Sequence, residues 1–186
     1  MVEGQGGTIF TIGHGGWSVE GLLSRLEELG VQFLVDVRSV PVSRYPREFS
    51  REPLRDLLAR RGIRYVYMGD QLGGRPADPD CYAPGGRVLY SVCREKPFFR
   101  EGIRRLLEGI GKGYRLCLFC SEGRPWECHR SRLIGEVLAR EGIDVRHVLR
   151  GGGAISQEEC RLRETEGQLT LFEGEERKDT SRGRYR

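Results

Sequence analysis

The stretch of sequence that decides the fold is YRLCLFCSEGRPWECHRSRLIGEVLAR, residues 114–140. Its first part is a mostly apolar run, typical of a strand that is buried on both faces, and this run ends at Cys120. A polar loop follows, and a helix is predicted from about Cys128 to Arg140, closed by Gly142. A strand, a loop and a helix in this order are one repeating unit of a parallel α/β sheet.

The same alternation of strand and helix continues on both sides of this stretch. Apolar and β-branched runs predict strands over residues 8–12, 33–37, 63–67, 114–119 and 143–149. Helical spacing and end signals predict helices between these strands, over residues 19–29, 51–61, 98–110 and 128–140. The pattern predicts an α/β fold, a single domain with a mostly parallel five-stranded sheet and helices on both faces.

We place the boundary of this domain near the run of glycines at residues 151–153. Residues 1–150 form the predicted α/β domain, and residues 151–186 form a C-terminal tail. Within the tail, residues 156–166 are compatible with a short helix. Residues 173–186 are charged and nearly free of apolar side chains, so we expect the end of the chain to be disordered.

The composition is that of a globular protein without a membrane partner. Hydrophobic residues make up 38% and charged residues 31% of the 186 residues, and no apolar run approaches the roughly 20 residues of a membrane span. Residues 1–7 lack the features of a secretory signal, so we expect a cytoplasmic protein. Its six cysteines are then expected to be core residues, reactive thiols or metal ligands.

Arginine dominates the basic side chains, because Lys96, Lys112 and Lys178 are the only lysines among 31 basic residues. The planar guanidinium group suits phosphate and carboxylate. The bias therefore agrees with a phosphate-bearing small molecule or nucleic acid as partner. The base composition of the genome, or a host adapted to heat, explains it without any function.

Residues with reactive or charged side chains follow four of the predicted strands. In open parallel sheets, ligands bind beyond the carboxyl ends of the strands, and these ends share one edge. The candidates at this edge are His14, Asp36, Arg38, Arg44, Gly73, Gly74, Arg75, Cys120, Ser121, Glu122, His129 and Arg130. Their convergence predicts one site that contains thiol, imidazole, carboxylate and guanidinium groups.

Cys120 is the main candidate for a reactive group at this edge. It follows a strand and precedes a helix start that carries His129 and Arg130, where free N–H groups and the helix dipole favour a thiolate or a bound oxyanion. In the alternative interpretation, Cys120 ends a buried strand and His129 caps the helix. Cys117 lies in the middle of the strand and is expected to be a core residue.

The other candidates have two interpretations each. His14 lies between glycines that would let a ligand approach the backbone, or it is a turn residue in solvent. Asp36 and Arg38 point to the same side of a strand and are compatible with a structural ion pair. Arg38 and Arg44 are also candidates for phosphate contact. The Gly73-Gly74-Arg75 turn is of a common type.

Two alternatives concern the cysteines themselves. Cys117, Cys120, Cys128 and His129 are residue types that bind zinc, although their spacing differs from that of standard zinc motifs. Cys120 and Cys128 would form a reversible disulfide if their Cα atoms lie within about 7 Å. We predict no cofactor.

Four motifs together resemble the domain of unknown function 488 family. They are Thr11-Ile12-Gly13-His14, Val35-Asp36-Val37-Arg38, Leu72-Gly73-Gly74 and Cys120-x-Glu122-x-x-Pro125-x-x-Cys128-His129-Arg130. The resemblance covers about residues 8–148 and implies an α/β fold with a site at these motifs, but it implies no particular reaction. The chain has Gly15 where serine is usual after the histidine.

A looser likeness is to rhodaneses and cysteine phosphatases, which also place a cysteine in an anion-binding loop between a strand and a helix. The phosphatase signature requires arginine six positions after the cysteine, and this chain has Trp126 there. The loop is also longer than in a standard rhodanese. This likeness is therefore an analogy of architecture only.

The tail contains a separate motif at residues 168–172. Its side chains Gln168, Leu169, Leu171 and Phe172 resemble the pentapeptide with which bacterial repair and replication proteins bind the sliding clamp. An extended peptide of this kind places apolar anchors in a groove while the glutamine forms hydrogen bonds. Alternatively, the same residues form an edge strand of the domain.

These observations favour a cysteine- and histidine-dependent enzyme that acts on a nucleotide or nucleic-acid substrate and is recruited to DNA by the clamp. Cys120 would be the nucleophile, His129 and His14 would transfer protons, and Glu122 would orient groups or act as a base. One alternative is a non-catalytic adaptor that binds phosphate or nucleic acid. Another is a sulfur-transfer or redox protein that uses Cys120. The sequence does not indicate an oligomeric state.

Overall fold

The computed structural model describes residues 6–164 and 179–185. The prediction of one α/β domain with a mostly parallel sheet is confirmed. The strands are β1 (Thr8–Gly13), β2 (Phe33–Asp36), β3 (Arg64–Tyr67), β4 (Arg87–Leu89), β5 (Leu116–Cys120), β6 (Asp144–Val148), β7 (Ala154–Ser156) and β8 (Thr180–Arg184). The helices are α1 (Val19–Glu28), α2 (Arg51–Arg60), α3 (Gly69–Leu72), α4 (Tyr90–Glu95), α5 (Pro97–Gly111), α6 (Glu136–Arg140) and α7 (Gln157–Glu164), and a π-helical turn, Arg130–Gly135, leads into α6.

The main sheet has the strand order β3-β2-β5-β1-β6-β7, and every pair except β6 with β7 is parallel. It contains the five predicted strands and one more, β7. Gly152 and Gly153 adopt positive φ, which lets the chain reverse at once so that β7 pairs antiparallel with β6. A strand of three residues carries too little pattern to be predicted from periodicity.

Helices cover both faces of this sheet. On one face, the leucines of α1 and α2 pack against Cys117 and Phe119 of β5. On the other face, α4, α5 and the π-helical turn with α6 pack against Leu118 and Cys120. Because side chains alternate along a strand, Cys117 and Cys120 point to opposite faces of the sheet.

The register of the strands brings the ends of β1, β2 and β5 to one edge of the sheet, as predicted. Gly13 at the end of β1 pairs with Cys120 at the end of β5, and Asp36 at the end of β2 pairs with Phe119. The His14 N–H donates to the carbonyl of Cys120 at 2.9 Å. The ends of three neighbouring strands and the loops that follow them therefore meet at this edge.

The described parts of the C-terminal region pack onto the domain. Residues 154–164 form β7 and α7, and β8 pairs antiparallel with β4 in a second, two-stranded sheet. Asp179 forms a bidentate ion pair with Arg94, and Ser181 accepts a hydrogen bond from the Val88 N–H. The motif at residues 168–172 lies outside the described residues. In the described ranges, the helices are all too short or too polar to cross a bilayer.

Candidate functional site

A cavity of about 540 Å³ lies at the edge of the sheet where β2 and β5 end. Five segments form its walls: the loop after β2, the loop after α3, the start of α4, the loop after β5, and the C-terminal strand β8 with the residue that follows it. The lining residues are Arg38, Ser39, Val40, Val42, Gly74, Arg75, Tyr90, Cys120, Ser121, Glu122, Glu127, Cys128, His129, Arg182, Gly183 and Tyr185.

Three lining side chains form a compact cluster, Cys120, Cys128 and His129. The sulfur of Cys120 lies 3.0 Å from the sulfur of Cys128 and 4.0 Å from Nδ1 of His129. The sulfur of Cys128 lies 3.5 Å from the same Nδ1. Cys120 ends β5, and the other two residues begin the turn of helix after the loop, so the predicted strand–loop–helix unit builds this cluster.

The orientation of the His129 ring is determined by its other nitrogen. Nε2 lies 3.0 Å from the carbonyl oxygen of Val37, which can only accept, so Nε2 carries the proton. The other ring nitrogen, Nδ1, faces the two sulfurs, and in the tautomer with the proton on Nε2 it has a free lone pair. Gly74 packs on the ring: a Cβ at this position would lie 2.8 Å from Nδ1. The close approach explains why the residue is glycine.

The two thiols differ in acidity. The hydrogen bond from Cys128 lowers the pKa of Cys120 well below the usual value for cysteine, burial opposes this effect, and the nearby His129 and Arg130 lower the pKa further. Burial and the hydrogen bond to Cys120 raise the pKa of Cys128. The first proton lost by the pair therefore leaves a thiolate on Cys120 and a thiol on Cys128.

The cluster has the residue types of a metal site, and its ligand atoms all lie within 4.8 Å of one another. Two thiolates on a tetrahedral zinc ion, each about 2.3 Å from the metal, would lie about 3.8 Å apart. The observed 3.0 Å between the sulfurs is shorter, so zinc would require them to separate. Cys117 cannot take part as the zinc alternative supposed, because it faces the opposite side of the sheet.

Arg130 lies behind the cavity instead of in it. The side chain is fully buried, and its guanidinium group donates to the carbonyls of Glu122 and Gly123. A Cβ on Gly13 would lie 2.3 Å from this guanidinium group and 1.7 Å from the Glu122 carbonyl. Arg130 was expected to contact a ligand, but its buried guanidinium group instead stabilises the conformation of the loop after β5.

Asp36 and Arg38 form a bidentate ion pair, with distances of 2.9 and 2.6 Å, and both side chains are buried. The backbone N–H of Arg38 and the hydroxyl of Tyr65 donate two more hydrogen bonds to Asp36. Burial raises the pKa of Tyr65, and the hydrogen bond to Asp36 raises it further. Asp36 is thus occupied by protein partners. Nη1 of Arg38 is buried and has no hydrogen-bond partner among the described residues.

His14 belongs to the same side of the sheet as this ion pair. Its ring stacks on Phe49, with centroids 4.7 Å apart, and leans on Phe119. Burial lowers the pKa of His14, as does the charge of Arg38, while Cys120 and Asp36 act in the opposite direction. His14 is not among the described residues that line the cavity, so the structure does not bring the two imidazoles into one pocket.

The remaining predicted residues divide between the cavity and its surroundings. Ser121, Glu122, Gly74 and Arg75 line it. Arg44 is exposed on the loop after β2 and is absent from the described lining. Gly73 is a packing residue, since a Cβ there would lie 2.3 Å from Oγ of Ser39.

Sequence reasoning missed the wall that the C-terminal segment supplies. Arg182 lines the cavity and pairs with Glu127 at 3.0 Å. The ring of Tyr185 supports Arg75, whose guanidinium carbon lies 4.4 Å from the ring centroid. Tyr90, at the start of α4, is a further lining residue that was not expected. β8 is a polar strand that pairs with β4 through backbone hydrogen bonds. Its sequence has no hydrophobic periodicity, so neither the strand nor its place beside the cavity could be predicted.

The comparisons with known proteins identify one family. Residues 18–137, about two thirds of the chain, match the family model described as "Domain of unknown function DUF488". The match includes the ends of β2 and β5 and the whole of the cluster formed by Cys120, Cys128 and His129. No curated protein and no solved structure matches the chain.

Proposed function

This chain belongs to the DUF488 family, and we propose that it is a cysteine-dependent enzyme that acts on a phosphate-bearing substrate, a nucleotide or nucleic acid. The observation that carries the proposal is the position of Cys120. Its sulfur lies in the wall of a cavity, 3.0 Å from a second thiol and 4.0 Å from Nδ1 of His129. This is the arrangement of an activated nucleophile with an adjacent base.

The chemistry that this geometry supports is a displacement. The proton of the Cys120 thiol passes to Nδ1 of His129, and the thiolate forms a bond to an electrophilic atom of the substrate. The bond from that atom to its leaving oxygen breaks, and this oxygen takes the proton from Nδ1. The oxygen of a water molecule then forms a bond to the same atom while the carboxylate of Glu122 takes a proton from it; the bond to sulfur breaks, sulfur keeps the electron pair, and the proton on Glu122 restores the thiol.

Two arginines supply the charge that would hold the phosphate. Arg75 and Arg182 line the cavity from different segments, and both side chains are exposed. The guanidinium group of Arg75 packs on the ring of Tyr185, and that of Arg182 pairs with Glu127. Guanidinium groups bind phosphate through paired hydrogen bonds, so the substrate would place its phosphate between the two.

Alkylation of Cys120 tests this proposal. Iodoacetamide should modify Cys120 at neutral pH, and a phosphate-bearing compound such as a nucleoside 5′-monophosphate should slow the modification because it occupies the cavity. Cys120→Ser identifies the labelled peptide, and the uncharged nucleoside is the matched control ligand. The proposal is wrong if Cys120 is not modified, or if neither inorganic phosphate nor nucleotides protect it.

A second candidate function is dithiol redox chemistry, and the 3.0 Å between the two sulfurs favours it. The Cys120 thiolate would attack a disulfide of the partner and release one of its thiolates. Cys128 would then attack the sulfur of Cys120, so that the pair becomes a disulfide and the partner a dithiol. Oxidised glutathione should in this case remove two hydrogen atoms from the protein, measured by mass spectrometry, and Cys128→Ser should stop at the mixed disulfide.

Recruitment to the sliding clamp is a separate part of the proposal. In the sequence, residues 168–172 lie between Glu164, which ends α7, and Asp179, which pairs with Arg94. Purified bacterial clamp should bind the full chain with saturation, and Leu171→Ala with Phe172→Ala should abolish binding. Equal binding by the doubly substituted chain would contradict this part.

A further inference from the structure

The loop after β2 exposes apolar side chains at the edge of the cavity. We call residues 40–45 the lip. Val40, Val42 and Tyr45 are 61%, 65% and 91% exposed, and they are half of the large apolar residues exposed in the described ranges. Val40 and Val42 also line the cavity. The proposed displacement uses none of the three.

The lip is attached firmly to the domain at its base. The Arg51 N–H donates to the carbonyl of Pro41 at 2.9 Å. The Ser43 N–H donates to Oγ of Ser50 at 3.0 Å, and this hydroxyl donates back to the carbonyl of Ser43. The apolar side chains of the lip face water, so they add no hydrophobic stabilisation to the folded state, although the backbone that carries them is ordered. A surface of this kind indicates a ligand for which the loop is already in place.

The charges around the lip indicate what this ligand is. Arg44 lies within the lip and is exposed, and Arg75 and Arg182 are exposed in the cavity wall beside it. The backbone N–H of Arg75 donates to Oγ of Ser39 at 2.8 Å, which joins the two loops directly. An aromatic ring and aliphatic side chains interleaved with arginines form a surface that takes flat, apolar bases and a phosphate backbone together.

We infer that the lip binds single-stranded nucleic acid, with one phosphate of the strand in the cavity and an adjacent base stacked on Tyr45. The inference rests on the proposed function and extends it, since it makes the phosphate-bearing substrate a polymer and assigns the bases to the lip. Stacking of a base on one aromatic side chain contributes substantially to binding, so replacing Tyr45 alone should change the affinity measurably.

Fluorescence anisotropy with labelled single-stranded RNA and DNA of one sequence tests this inference. The full chain should bind at least one strand with saturation in the micromolar range, and added salt should weaken binding. Tyr45→Ala should weaken it about tenfold, and Arg44→Ala should reduce its salt dependence. The matched control is Tyr114→Ala, because Tyr114 is also exposed but precedes β5 and therefore lies at the opposite edge of the sheet.

The outcomes separate this inference from the proposed function. The inference is overturned if nucleotides protect Cys120 from iodoacetamide while neither strand binds. It is also overturned if Tyr45→Ala binds as well as the unsubstituted protein, because the lip then has no role in nucleic-acid binding. The proposed function then stands with a small substrate. If neither strand binds and no phosphate-bearing compound protects Cys120, both are wrong.

Discussion

Two pairs of neighbouring cysteines in this protein differ in chemistry although both are buried. Cys81 and Cys93 lie in the core, Cys93 within α4 and Cys81 at the end of a short 3₁₀ turn, and burial raises the pKa of each thiol. Cys120 and Cys128 are buried to a similar degree, yet the pKa of Cys120 is lowered. Burial and a second thiol nearby therefore do not by themselves make a cysteine reactive.

The surroundings of the two pairs explain the difference. The hydrogen bond from Cys128 has the largest effect on the pKa of Cys120, and His129 and Arg130 also lie close enough to stabilise a negative charge on this sulfur, which borders a cavity. Cys81 and Cys93 are not part of the described cavity lining, and desolvation dominates their acidity. The comparison teaches that a strand end at the edge of the sheet creates the site, since only there can charge and access combine.

The largest expected effect is the difference in alkylation rate between the pairs. At neutral pH, Cys120 should react with iodoacetamide about a hundredfold faster than Cys81 or Cys93, because the thiolate is the nucleophile. A lowered pKa also keeps Cys120 reactive as the pH falls below the usual thiol pKa of about 8.5, whereas the raised pKa of the other pair keeps it protonated well above that pH. Peptide mapping by mass spectrometry over a pH series measures both.

Labelling in denaturant provides the control for this prediction. In the unfolded chain, all six cysteines should react at similar rates, since the environments are lost. Equal rates for Cys120 and Cys93 in the folded protein would contradict the difference in acidity. It would leave the cavity as a ligand site without a reactive thiol.

The second-largest expected effect concerns His129, which lies beside Cys120 and Cys128. His129→Asn removes the ring nitrogen that takes the proton of Cys120 and whose positive charge then stabilises the thiolate, so it should slow the alkylation of Cys120 about tenfold. The labelling of Cys81 and Cys93 should not change. A rate for Cys120 that also does not change would show that Cys128 and Arg130 stabilise the thiolate without His129.

A smaller effect is expected when the ring is displaced and not removed. Gly74→Ala would place a Cβ 2.8 Å from Nδ1 of His129, so the ring must shift. We expect about a fivefold slower reaction of Cys120 and a loss of about 1–3 kcal/mol in the free energy of unfolding. Gly85→Ala is the matched control, since its Cβ would have no described atom within 4 Å. Alkylation kinetics and thermal unfolding of both variants decide whether Gly74 positions the ring.

The two pairs also show how far sequence reasoning reaches. The spacing of apolar residues predicted β5, the following loop and the helix after it, and the rule for open sheets put Cys120 at a ligand-binding edge. Periodicity also indicated that Cys117 is a core residue. The hydrogen bond between Cys81 and Cys93 joins the 3₁₀ turn at residues 79–81 to α4, and no local pattern indicates that these thiols meet.

Two features of the site could not be derived from the sequence, the burial of Arg130 and the position of Arg182. Arg130 was expected to bind a ligand because it follows the reactive motif, but side-chain direction at a helix start depends on the fold of the loop that precedes it. Arg182 was missed because β8 returns to the site through backbone pairing with β4, a contact between residues far apart in the chain. Long-range pairing of a polar strand leaves no trace in hydrophobic periodicity.

The smallest expected effect tests this returning strand. Iodoacetate carries a negative charge and iodoacetamide does not. The rate of Cys120 with iodoacetate divided by its rate with iodoacetamide therefore reports the electrostatic potential of the cavity. Arg182→Ala should lower this ratio about twofold at low salt and less at high salt, since exposed charges are screened. Arg184→Ala is the matched control, because Arg184 is exposed on the same strand but is not part of the described lining. A ratio that falls equally in both variants would mean that the net charge of the chain, and not the position of Arg182, attracts the anion.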